Sequence, residues 1–130
     1  MIGPPETHAD LLERPLIAHY ATVRPDGAPL VNPMWFLWDP ERGVVRMTHT
    51  MTRHNYRNLQ REPRVAFSIV DPDSPYRYLQ VRGVVERIED DPTGSFHEEL
   101  QRRYRGTVGD VPDRENRVIL VIRPTAFKRM

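Results

Sequence analysis

The chain predicts a mainly β (α+β) fold: a small closed or split barrel of six antiparallel strands, with two or three short helices at its edges. Three observations carry this. β-type segments recur along the 130 residues, and most are joined by turns too short for a crossover helix, which favours antiparallel pairing. Two internal segments carry helical start and stop signals and interrupt the strands without alternating with them. The segment Val118–Ile122 is apolar on both faces, as a central strand covered on both sides would be.

The elements follow in order. Residues 6–14, ending at Pro15, read as a short helix with Leu11 and Leu12 turned inward. Leu16–Val23 and Leu30–Trp38 are strand-like, and Pro25, Asp26 and Gly27 between them make the turn of a hairpin. A second turn at 39–43 leads into Val44–His49. Thr52 is placed to cap a short helix that Pro63 stops. Val65–Val70 puts Val65, Phe67 and Ile69 on one face, and residues 71–75 form a loop. Tyr76–Ile88 is a long strand in which Leu79, Val81 and Val85 alternate with polar residues, and Gly83 marks a bulge or a close approach, the bulge being favoured. In the second helix Asp91 caps, Pro92 takes the first position, and Phe96, Leu100 and Tyr104 form the apolar stripe. Arg102, Arg103 and Arg105 sit in its last turn and Gly106 follows.

Composition bounds the function. At 130 residues and 15.3 kDa the whole chain, 1–130, reads as one domain. Nineteen basic and eighteen acidic residues leave a net charge of +1, so no global field draws it to nucleic acid or to a membrane. There is no cysteine, which removes thiolate catalysis, disulfides, iron–sulfur clusters and Cys-ligated zinc. No apolar run reaches the roughly 18 residues of a spanning helix, and Met1–Pro5 lacks a signal-peptide pattern, so a soluble cytoplasmic protein is expected.

The basic charge is concentrated between Arg46 and Arg64, where five arginines face one acid, Glu62. Arg53, Arg57 and Arg61 recur every four residues on one helix face. Such a row is usually a solvated surface. Here Thr52 and Arg53 stand at the helix N-terminus, where backbone N–H groups and the dipole add to the guanidinium charge and favour a phosphate. Upstream, Val31–Trp38 carries a mid-strand proline and two tryptophans, which suits either an edge strand packing aromatics inward or a platform for a planar heterocycle. The five histidines form no metal-binding set, and no metal is expected. GxGxxG, P-loop and GxSxG motifs are missing, and no residue is assigned as catalytic acid, base or nucleophile. An anion clamp beside an aromatic strand suits an enzyme whose cofactor does the chemistry.

Three stretches carry a resemblance: ATVRPDGAPLVNPMWF at 21–36, TRHNYRNLQREPRV at 52–65 and DPDSPYRYLQVRG at 71–83. Together they resemble the pyridoxamine-phosphate-oxidase-like split barrels, also called FMN-binding split barrels, and within them the branch of oxidoreductases that use the deazaflavin coenzyme F420. The resemblance runs over roughly residues 8–125. It implies a six-stranded split barrel and a homodimer with cofactor sites at the subunit interface. It implies that the strand of Val31, Asn32, Pro33, Met34 and Trp35 lies against the deazaflavin ring. Thr48, Thr50, Arg53 and Asn55 would hold the phosphate, with Arg57 and Asn58 nearby, and Tyr78 would approach from the other subunit. The family pattern often reads Arg-x-Lys-x-x-Asn-Leu, and here Asn55 stands at the lysine position, supplying a hydrogen bond without charge. The function implied is hydride transfer from reduced F420 to an unsaturated small molecule. An FMN-dependent oxidoreductase and a non-catalytic cofactor- or ligand-binding protein are the alternatives.

Overall fold

Alternation along the strands decides what faces inward. Val65, Phe67 and Ile69 on one strand and Leu79, Val81 and Val85 on the next are buried, and they join Met47, Leu120 and Ile122 in one continuous core. The protein is described from a computed structural model covering residues 2–130, with Arg53 described by its backbone alone.

The strands are β1 (Ala18–Val23), β2 (Pro29–Met34), β3 (Leu37–Asp39), β4 (Val44–Thr50), β5 (Arg64–Asp71), β6 (Ser74–Asp90) and β7 (Arg117–Arg129). The helices are α1 (Asp10–Glu13), α2 (Arg53–Arg61) and α3 (Ser95–Arg105), with a short 3-10 helix at Arg114–Asn116. All strands belong to one antiparallel sheet in the order β2-β1-β5-β6-β7-β4-β3. As expected, the stretch at 118–122 is central, paired to β4 on one side and β6 on the other.

The sheet has seven strands, not six. The predicted strand Leu30–Trp38 breaks at Trp35 and Phe36 into β2 and β3, which lie at opposite edges of the sheet. Met34 and Leu37 can be no more than about 11 Å apart along the chain, so the two edges must come together and the sheet curls on itself. The break has an identifiable cause in the packing of α3 against the seam. Phe36 turns fully into the core, and its N–H donates to the Tyr104 hydroxyl (3.1 Å) instead of to a strand partner. That hydroxyl in turn donates to the carbonyl of Leu16 (2.6 Å), so α3 fastens the seam. Pro33 sits on edge strand β2, where a missing ladder donor is tolerated.

Other boundaries shift for identifiable reasons. α3 starts at Ser95, three residues after Pro92, because Gly94 adopts a left-handed conformation (φ 69°) just before it. Asp91 still caps, but from outside the helix: its carboxylate accepts from the Phe96 N–H (3.0 Å) and the Ser95 hydroxyl (2.9 Å). The 71–75 loop tightens into a turn that lets β6 start at Ser74, and β7 continues past Ile122 to Arg129. At Gly83 the register slips, and a Cβ there would lie 2.8 Å from the Arg123 carbonyl oxygen and 2.9 Å from Ile122 Cγ2, so bulge and close approach coincide.

Candidate functional site

α2 is built as its end signals require. Thr52 is extended (φ −84°, ψ 160°), and its hydroxyl accepts the N–H of Asn55 at 3.1 Å; the helix ends at Arg61, two residues before Pro63. Helical spacing then sorts the side chains. His54, Asn55, Asn58 and Leu59 face one cleft, while Tyr56, Arg57 and Gln60 face another.

The first cleft, about 410 Å³, opens between α2, the β1–β2 hairpin and the end of β4. Tyr20, Asn32, Met34 and His49 line its strand side. Its described lining includes Arg24, two histidines and no carboxylate, so it suits a neutral or anionic guest. Tyr20 is 4% exposed and its hydroxyl has no hydrogen-bond partner among the described residues. Burial pushes that phenol well above its ordinary value, so it stays protonated and able to donate. His49 Nδ1 lies 2.6 Å from the carbonyl of Thr50. A carbonyl cannot donate, so Nδ1 carries the proton, and in the neutral ring Nε2 is an acceptor. Asn58 Nδ2 donates to the Val23 carbonyl at 3.0 Å, which ties α2 to the hairpin.

The second cleft, about 610 Å³, is lined by Thr52, Arg57 and Arg117, with Asp90 and Glu115 also present. Arg117 donates through Nε to the Pro112 carbonyl (2.8 Å), and burial holds its guanidinium below the ordinary value.

Of the residues expected to meet a cofactor, the chain gathers Asn32, Met34, Asn55 and Asn58 around the first cleft. Arg57 belongs to the second. Val31 and Pro33 alternate onto the other face of β2 and are exposed. Thr48 and Thr50 alternate with His49, on the face of β4 away from the first cleft; the Thr48 hydroxyl is buried with no partner among the described residues. Trp35 lies in the seam, stacked on Tyr104 (centroids 4.9 Å apart, 11° between planes) with the Arg105 guanidinium 4.9 Å from its ring. Tyr78 exchanges backbone hydrogen bonds of 3.1 Å with Met130, the residue just past β7. The expected clamp by the Arg53 side chain lies outside the described residues. Sequence reasoning did not single out Tyr20 and His49 as lining a site. Their only signal was alternation, Ala18–Tyr20–Thr22 on β1 and Met47–His49 on β4, and it becomes informative once the sheet is known to curl.

A sequence profile of the pyridoxamine 5'-phosphate oxidase family matches residues 4–130. The fold is similar to that of a solved F420 reductase, with 56% identity over 95% of this chain and 98% of that one and a TM-score of 0.87. It is also similar to a conserved hypothetical protein of Mycobacterium tuberculosis, at 25% identity over 99% of this chain and 85% of that one (TM-score 0.73). The General Stress Protein 26 of Bacillus anthracis shares the fold at 19% identity, with 96% and 92% of the two chains covered (TM-score 0.70). The chain belongs to the pyridoxamine 5'-phosphate oxidase family of split-barrel proteins.

Proposed function

We propose that the protein is an F420-dependent oxidoreductase acting as a homodimer on an unsaturated small molecule such as a quinone, an enone or a tetrapyrrole. The observation that carries this reading is the 56% identity to an F420 reductase over nearly the whole of both chains. The residues present fit such a guest. A cleft of about 410 Å³ falls in the usual range for small-molecule sites, and its described lining carries no carboxylate to repel an anion. The buried hydroxyl of Tyr20, which lines this cleft, has no partner among the described residues, and a bound polar group would supply one.

When bound, reduced F420 supplies the hydride, so the protein's work is to bind, orient and exclude water. Asn32 and Met34, which line the cleft from β2, would face the ring. Arg53 and Asn55 at the start of α2 would hold the phosphate with Asn58 nearby, and the partner chain would supply Tyr78, whereas Thr48 and Thr50 face away from this cleft and Arg57 lines the other one. A second copy also covers the exposed apolar side chains of the β1–β2 hairpin, among them Leu30 (44% exposed) and Val31 (59%). Fluorescence titration of the protein with F420 and, separately, with FMN tests the cofactor choice. Saturable binding of F420 at the lower dissociation constant is expected; tighter binding of FMN would replace deazaflavin with flavin in this account.

A further inference from the structure

The mouth of the barrel holds a combination of polar groups that the phosphate clamp does not use. Tyr20 and Asn32 are direct cross-strand partners in the β1–β2 ladder, which places their Cβ atoms about 5 Å apart on the same face. Both line the 410 Å³ cleft with His49. The Tyr20 hydroxyl is a buried donor without a partner among the described residues. His49, with its Nδ1 proton committed to the Thr50 carbonyl, offers Nε2 as an acceptor. Asn32 adds amide donors. Leu30, Met34 and Leu120 supply apolar walls between them.

Arg24, His54, Asn55 and Asn58 line the same cleft. Tyr20 and Asn32 as donors and His49 as an acceptor, beside the apolar walls, complement a group with two acceptors and one donor. A cyclic imide, –CO–NH–CO–, is such a group. We propose that this cleft binds the imide edge of a planar heterocycle: Tyr20 and Asn32 donate to its two carbonyls, and His49 Nε2 accepts its N–H. This rests on the cofactor reading, because it fixes which end of the ring system enters the barrel. It leaves the phosphate with the α2 clamp. An unpartnered buried hydroxyl is unfavourable in the free protein. Tyr20 would therefore be retained for binding at the expense of stability, as functional sites often are.

The test uses lumichrome, a flavin ring system without sugar or phosphate, so binding does not depend on the clamp. Wild-type protein, Tyr20→Phe and His49→Leu are titrated with lumichrome and with its analogue methylated on the imide nitrogen, and F420 is titrated alongside. Lumichrome should bind the wild type, and each variant should bind it about tenfold more weakly, the loss of one buried hydrogen bond. The methylated analogue should bind the wild type about tenfold more weakly and be indifferent to His49→Leu. Free Tyr20→Phe should melt at or above the wild-type temperature. The inference is overturned if lumichrome does not bind the wild type, or if Tyr20→Phe binds it unchanged. It is equally overturned if the free variant melts lower, since the hydroxyl would then have a structural partner. If lumichrome behaves as expected and F420 fails to bind, the cofactor reading falls alone; if F420 binds wild type and Tyr20→Phe equally, this inference falls alone.

Discussion

Arg77 shows how much one side chain can organise. Its guanidinium donates to Asp10, to Asp71 at 2.9 Å and to the carbonyl of Thr7 at 2.6 Å, joining the N-terminal segment to β5 and β6. The hydrogen bond from Arg77 holds the Asp10 carboxyl below the usual carboxylate range. Asp71 is held below it too, first by the Asp73 N–H and then by Arg77. A carboxylate with a depressed folded-state value stabilises fully above its ordinary pKa, and that contribution disappears as pH falls through the folded value. Arg77→Gln should therefore lower the melting temperature near neutral pH, and the gap to wild type should close below about pH 4. A gap that persists unchanged into acid would mean that Arg77 acts by packing alone. Tyr104 makes a second prediction at this scale. Tyr104→Phe keeps the stack on Trp35 but strands the Phe36 N–H and the Leu16 carbonyl, so urea denaturation should show a loss of about 1–3 kcal/mol. An unchanged midpoint would show that the seam closes without the hydroxyl.

Among the elements, strands were the most legible part of the sequence because burial writes itself every second residue. Val65, Phe67 and Ile69, and then Leu79, Val81 and Val85, are buried as their alternation indicates. Thr52 and Pro63 likewise marked the ends of α2, since caps and stops act within a few residues. The break at Trp35 and Phe36 was not legible, because its cause is a hydrogen bond to Tyr104, 68 residues away. The start of α3 was missed by three residues because Asp91 reaches across Gly94 to cap from a distance. In the site, the arginine spacing did not reveal that α2 divides two clefts, with Asn55 and Asn58 toward one and Arg57 toward the other, and which strand faces join them depends on how the sheet curls. Tyr20 and His49 therefore passed as ordinary strand residues. The β6–β7 pair carries its own prediction. Gly83→Ala places a methyl against the Arg123 carbonyl and Ile122 at contacts below 3.0 Å, so the strands must move apart. A loss of about 1–3 kcal/mol in chemical denaturation is expected. A neutral result would mean the bulge can shift without cost.

At the scale of the whole molecule, a curled sheet and a helix that divides two clefts occur in a fold similar to that of a solved F420 reductase. No helix among the described residues is long and apolar enough to cross a membrane. The homodimer is the first prediction at this scale. Light scattering across micromolar concentrations should return twice the 15.3 kDa chain mass, and a mass of one chain throughout would remove the partner's Tyr78 from the site. F420-dependent catalysis is tested most directly by following the oxidation of reduced F420, by its absorbance, in the presence of the protein and a panel of quinone and enone acceptors. Acceptor-dependent, saturable turnover with reduced F420 and little or none with reduced FMN is expected. Turnover with reduced FMN alone, or none with either cofactor across the panel, would contradict it.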